Sequence, residues 1–260
     1  MRKLFTMAAL SVFLVTLSGC SEFTILSFKN NTTNADTVTF ADANLQQCWN
    51  DAVATAKENV LPAPLGFWTV AQITNLLCHN YGITDVSDIS NASGVNTLVL
   101  TSNSIGSLDL GYMPFLTGLS ASGSDLSTTA PDVVNLSGAE AITDLNLSIN
   151  FGIEEIDLSA NSSLRDVNLS TTNITAASII NKPDLNVVQL ALTPLVSLDL
   201  NGNPSLEFVN IGGITGLDTD STDALNTLDS TISGLCVIYL PPYDSDPDCT
   251  AEDLAEAPVF

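Results

Sequence analysis

Apolar and polar positions recur along this chain in one short phrase. Between Ala141 and Ile214 it reads Ala-Ile-Thr-Asp-Leu-Asn-Leu, Gly-Ile-Glu-Glu-Ile-Asp-Leu, Ser-Leu-Arg-Asp-Val-Asn-Leu, Pro-Leu-Val-Ser-Leu-Asp-Leu and Ser-Leu-Glu-Phe-Val-Asn-Ile. With the second apolar residue as marker, copies fall at Leu145, Ile156, Val167, Val188, Leu198 and Val209, in steps of 11, 11, 21, 10 and 11. A degenerate copy, Asn-Ile-Thr-Ala-Ala-Ser-Ile, fills the gap near Ala177, so the period is 21–22 residues with a half-period echo. The closing apolar-polar-apolar trio is strand alternation, two side chains inward and the middle one outward. A fixed period of this length predicts stacked coils, each burying its apolar face on its neighbours.

Extended both ways, the marker series is Leu76, Leu98, Leu119, Leu145, Val167, Val188, Val209 and Leu228. The echo gives Val86, Leu108, Val134, Ile156, Ala177, Leu198, Leu217 and Ile238. About eight coils are predicted over residues 73–241, as a repeat solenoid, mainly β, with short strands on both sides. The 26-residue step from Leu119 to Leu145 predicts an insertion around Ser122–Pro131.

The flanks differ in pattern. Residues 40–72 read as a helical cap: Leu45, Cys48, Trp49, Ala52 and Ala56 recur at three- and four-residue steps behind Asp42, a suitable N-cap. An open coil end needs such a lid. Residues 20–39 read as a polar tether, and residues 242–260 as a C-terminal cap with an acidic tail after Pro241-Pro242. Residues 1–19 read as a leader: Met1-Arg2-Lys3, then the apolar run Leu4–Leu17, too short to span a bilayer comfortably. It ends in Leu17-Ser18-Gly19-Cys20, which resembles the bacterial lipoprotein signal. That resemblance implies cleavage before Cys20, acylation of its sulfur, and, with Ser21 following, an outer-membrane address. The membrane contact is then the lipid anchor alone, and the compartment is oxidising.

In such a compartment Cys48 and Cys78 pair naturally, stapling the lid to the first coil. A metal site from Cys48, Cys78 and His79 competes, but lacks a fourth ligand and the usual close cysteine spacing. Cys236 and Cys249 bracket a 12-residue loop and read as a second disulfide, closing the lower cap.

The phrase and its period resemble the variant leucine-rich repeats of lipoproteins and secreted surface proteins of Gram-negative bacteria, an internalin-like family. The resemblance covers Ile73–Pro241. It implies a buried asparagine ladder, matched by Asn103, Asn150, Asn161 and Asn203, each three places after the last apolar residue of a trio.

Composition narrows the function. Lys and Arg number 6 against 29 Asp and Glu, a net charge of −23; loss of Arg2 and Lys3 with the leader leaves four bases and −25. Nucleic acids and anionic bilayer surfaces need a basic footprint and are poor direct ligands. His79 is the single histidine, so no Ser-His-Asp or Cys-His set can be built without it. There is no phosphate-cradling glycine loop and no metal-spaced His/Cys cluster. The sequence thus predicts a non-catalytic protein without a cofactor.

The outward middle residues carry the remaining signal. One side runs through Asn146, Asn168, Gln189 and Asn210, an amide ladder suited to binding a protein or glycan. The other carries Asp109, Asp157, Asp199 and Asp218, separated by Asn135 and Ser178 except at Asp199 and Asp218. That last pair is the one candidate for weak calcium binding, against the plainer reading of a solvated acidic face that discourages strand aggregation. The reading that results is a lipid-anchored envelope module for recognition or adhesion, with a structural spacer as the alternative.

Overall fold

A computed structural model describes residues 35–59, 72–129 and 133–238. These belong to one compact unit, Asn31–Phe260; the other, Met1–Asn30, lies wholly outside the described residues. The expected leader, Cys20, most of the tether, the end of the helical cap (residues 60–71), the end of the insertion (Ala130 and Pro131) and Cys249 also lie outside them.

Eight short parallel strands form the main sheet, in the order β1 (Asn75–Leu77), β2 (Thr97–Val99), β4 (Gly118–Ser120), β6 (Asp144–Asn146), β7 (Asp166–Asn168), β9 (Val187–Gln189), β11 (Phe208–Asn210) and β12 (Cys236–Ile238). Register is fixed centre to centre, for example Leu76 on Leu98, Leu145 on Val167 and Val209 on Val237. These central residues are at most 2% exposed, because each coil's inward side chain lies directly on the next. A one-residue slip would turn all of them to solvent.

The opposite side has two separate pairs, β3 (Leu108–Asp109) with β5 (Val134–Asn135), and β8 (Ala176–Ser178) with β10 (Ser197–Asp199). Val86, Ile156 and Leu217 keep the echo's spacing but lie outside strands. After Ile156, Asp157 Oδ1 accepts the Ser159 N–H at 2.8 Å, the same turn that Asp109, Asn135 and Asp199 make at the ends of the paired strands.

The last coil departs from the predicted beat. Leu228 is not in a strand; it lies in α2 (Thr219–Thr231), and the eighth strand is centred on Val237. Ile238, assigned by period to the echo, sits in this main-sheet strand. Asp218 caps α2 by accepting the Ser221 N–H at 2.8 Å, and Leu225 is buried with Leu228 and Ile232 packed beside it. That i, i+3, i+7 spacing is helical.

After each of the first seven main-sheet strands the chain turns through a left-handed residue. The row is Asn80, Ser102, Gly123, Ile149, Thr171, Leu192 and Gly213, with φ between 55° and 81°. The N–H groups of the first six donate to the next coil, for example Ile149 to the Ser170 carbonyl at 3.0 Å and Leu192 to that of Gly212 at 2.9 Å. At Gly213 a Cβ would lie 2.7 Å from Leu192 Cδ2, the free end of an exposed side chain, so it is the left-handed φ of 81° that favours glycine there.

Polar ladders run inside the coils. Asn150 is fully buried; its Nδ2 donates to the Ala121 and Leu147 carbonyls at 2.9 and 2.8 Å, and its Oδ1 accepts the Ser124 and Leu126 N–H groups. Asn103 and Asn203 repeat the pattern. Asn161 donates to Leu136 and Ala139, but its Oδ1 has no hydrogen-bond partner. Thr172 and Thr193 take equivalent places with one bond each, to Leu169 and Leu190. Lys182 stands where the period puts an asparagine, is 3% exposed, and donates Nζ to the Leu158 carbonyl at 2.9 Å. Burial lowers its pKa, and the neighbouring Asp157 opposes that shift.

The lid is α1 (Ala43–Asn59), which buries Leu45, Cys48, Trp49 and Val53. Asp42 Oδ1 accepts the Asn44 and Leu45 N–H groups, while its Oδ2 accepts those of Thr84 and Asp85 and the Thr84 hydroxyl. One carboxylate therefore caps the helix and ties it to the first coil. Burial disfavours its charge, but these bonds outweigh that and the pKa is lowered. Cys48 and Cys78 form a disulfide with their Cα atoms 5.6 Å apart, which leaves no thiolates for the competing metal site. Cys236 is also disulfide-bonded, to a partner outside the described residues.

Candidate recognition face

The outer face of the main sheet carries two rows of side chains, one on each side of the buried central residue. The row after the centre holds Leu77, Val99, Ser120, Asn146, Asn168, Gln189 and Asn210, in register from strand to strand. The predicted amide ladder is therefore aligned, but several of its oxygens are engaged locally. Asn146 Oδ1 accepts the N–H and hydroxyl of Ser148, Asn168 Oδ1 the Ser170 N–H, and Asn210 Oδ1 the Gly212 N–H, at 2.8–3.0 Å. Each caps the turn two residues on. Asn146 and Gln189 are only 3% and 8% exposed.

The row before the centre is the one that the repeat phrase did not single out. It runs Asn75, Thr97, Gly118, Asp144, Asp166, Val187, Phe208 and Cys236. From Asn75 to Asp166 it is exposed or half-buried. Beyond that, Val187, Phe208, Cys236 and Ile238 form a separate buried apolar cluster on the same face. The accessible part of the face is thus its first five strands. Strand alternation places both neighbours of an inward residue outward, so this row was available from the pattern.

Two features mark that part. Gly118 interrupts the row, and a depression of about 290 Å³ opens there, lined by Thr97, Val99, Ser120, Asp144 and Asn146. Beside it Asp144 and Asp166 are direct register partners on adjacent strands. The Thr143 hydroxyl donates to Asp144 Oδ2 at 2.5 Å. Burial, then the hydrogen bond and charge of Asp144, push the Asp166 carboxyl up to about 6 against the pull of Arg165.

On the opposite side, Asn135 Nδ2 donates to Asp109 Oδ1 at 3.1 Å, so the expected acid–amide alternation is a real contact. Asp199 and Asp218 are not register neighbours. The Asp218 N–H donates to the Val196 carbonyl, while Asp199 Oδ1 accepts from the Asn201 backbone and side chain. The period misplaced Asp218 because α2 begins there. Among the described residues no group of three or more His, Cys, Asp or Glu is placed to hold a metal ion. His79 lies exposed after β1, with Nδ1 2.6 Å from Thr101 Oγ1.

Stacked parallel strands, left-handed corners and internal asparagine ladders together define a leucine-rich repeat solenoid. A solved structure supports this fold. The chain is similar to internalin C2 of Listeria monocytogenes, with 21% identity over 81% of this chain and 88% of that one and a TM-score of 0.55. Lower scores are found with internalin F of the same bacterium (14%, covering 84% and 72%, TM-score 0.45) and the leucine-rich repeat domain of APL1B (18%, covering 64% and 54%, TM-score 0.46). The sequence matches no protein-family model and no curated protein.

Proposed function

We propose that this protein is a non-catalytic recognition module, held to the cell envelope by a lipid on Cys20, that binds a protein or glycan through the open half of its main-sheet face. The observation carrying this reading is the outer face itself. Two side-chain rows are held in strict register from β1 to β7, and a depression interrupts one of them. A rigid, repeating surface orders little on binding, which favours recognition over a merely structural role.

Alanine at Thr97 and Asn168, one on each side of the strand centres in the open half, tests the reading, with binding to intact-cell or envelope extracts and the cellular phenotype as readouts. Loss with an unchanged melting temperature supports recognition. Full tolerance of both favours a spacer. For the anchor, protease treatment of intact cells is compared between the natural chain and Cys20→Ala. Membrane-fraction recovery that is lost in Cys20→Ala supports lipidation, and digestion on intact cells would point to the outer surface.

A further inference from the structure

We propose that the Gly118 depression and the adjoining Asp144 carboxyl receive a lysine or arginine side chain of a basic protein segment lying across β2, β4, β6 and β7. This rests on the recognition reading above and names the partner's chemistry.

Gly118 is the first observation. Its φ is not in the left-handed region, and a Cβ built there would meet only the Thr97 side chain, at 3.7 and 3.8 Å. Neither the backbone nor packing requires a glycine, yet the row is left empty at this strand. The space is bordered by Val99 and Thr97, which suit the aliphatic stem of a basic residue, and by Asp144, which suits its charged end. The Ser120 oxygen beneath is buried without a hydrogen-bond partner.

Charge is the second observation. Asp144 and Asp166 sit on strands about 4.8 Å apart, where two carboxylates repel unless a proton or a cation lies between them. The charged groups facing Asp166 are Asp144 from β6 and Arg165 at the entry to its own strand; β9 brings the uncharged Val187. An incoming ammonium or guanidinium replaces the shared proton. The chain's net charge of −23 also draws a basic partner towards the molecule, and the Asp144–Asp166 pair sets the contact on this face.

The test is titration of the isotope-labelled full chain with acetyl-(Gly-Lys)3-amide, followed by backbone NMR shifts, beside its norleucine counterpart. Saturable shifts at Gly118, Ser120, Asp144 and Asp166 are expected. Affinity should rise about tenfold from pH 5 to pH 7, following ionisation of a carboxyl near pH 6. It should fall at least tenfold in Asp144→Asn and in Gly118→Val, and hold in Asp109→Asn on the far side. Asp144→Asn relieves a like-charge contact, so its melting temperature should not drop. Shifts scattered over the acidic surface, equal effects of Asp144→Asn and Asp109→Asn, or no binding would overturn the proposal. Equal binding of the norleucine peptide at this face would overturn the cation while leaving the recognition reading standing. A neutral oligosaccharide binding there instead of the peptide would do the same.

Discussion

Asn150 makes five hydrogen bonds to backbone groups of its own and the preceding coil, all in a site without exposed surface. Asn150→Ala strands buried donors and acceptors together and should cost on the order of 3 kcal/mol, read from urea unfolding. Asn161→Ala should cost less, since its side-chain oxygen is already unpartnered. Glycines divide in the same way. A Cβ at Gly138 would overlap the Gly111 carbonyl, so Gly138→Ala should destabilise by about 3 kcal/mol or more, at or beyond the usual overpacking range; Gly118→Ala should be nearly neutral. Two carboxyls act oppositely with pH. Asp42 has a lowered folded pKa, so its contribution is present above about pH 4 and is lost as pH falls further. Asp166 has a raised one, so its contribution is present below about pH 4 and is lost as pH rises towards 6. Asp166→Asn should flatten the stability profile between pH 4 and 6, checked by thermal melts across that range.

At the scale of elements, the lid and the last coil show what the sequence could and could not convey. The lid was legible because Leu45, Cys48, Trp49, Ala52 and Ala56 keep helical spacing behind Asp42; Val53, which that spacing passed over, is buried with them. Seven main-sheet strands were legible because their centres obey one period. The eighth was not: Leu228 continued the count, while Asp218-x-x-Ser221 and the Leu225, Leu228, Ile232 spacing announced a helix. The period outweighed the local signal in the reading, though not in the fold. The amide row was legible in position but not in chemistry. Whether an asparagine faces a ligand or caps its own turn depends on the backbone two residues later, which composition does not specify. Removal of the Cys48–Cys78 bridge as a double alanine variant releases a loop of separation 30 and should cost about 3–4 kcal/mol. Hydrogen exchange should show the loss first in α1 and β1.

Across the coils, cohesion is local, since each strand centre rests on the two beside it. Leu147→Ala removes a fully buried side chain from the middle of the stack and should cost about 2–5 kcal/mol. Its more telling effect should be on cooperativity. A weakened interior coil uncouples the stack on its two sides, so unfolding should change from one transition to two. Denaturation followed separately by tryptophan fluorescence, which reports Trp49 and Trp68, both within residues 40–72, and by far-ultraviolet dichroism should cease to coincide.

The centre-to-centre register has one more outcome, for how such a chain changes length over generations. Loss or duplication of a whole 21- or 22-residue unit leaves every remaining strand in phase, and alters reach by one strand spacing of about 4.8 Å. A gain of one residue inside a strand reverses which side chains meet water from that point to the next corner. The molecule is therefore a ruler with fixed graduations, tolerant of edits in whole coils and intolerant of smaller ones.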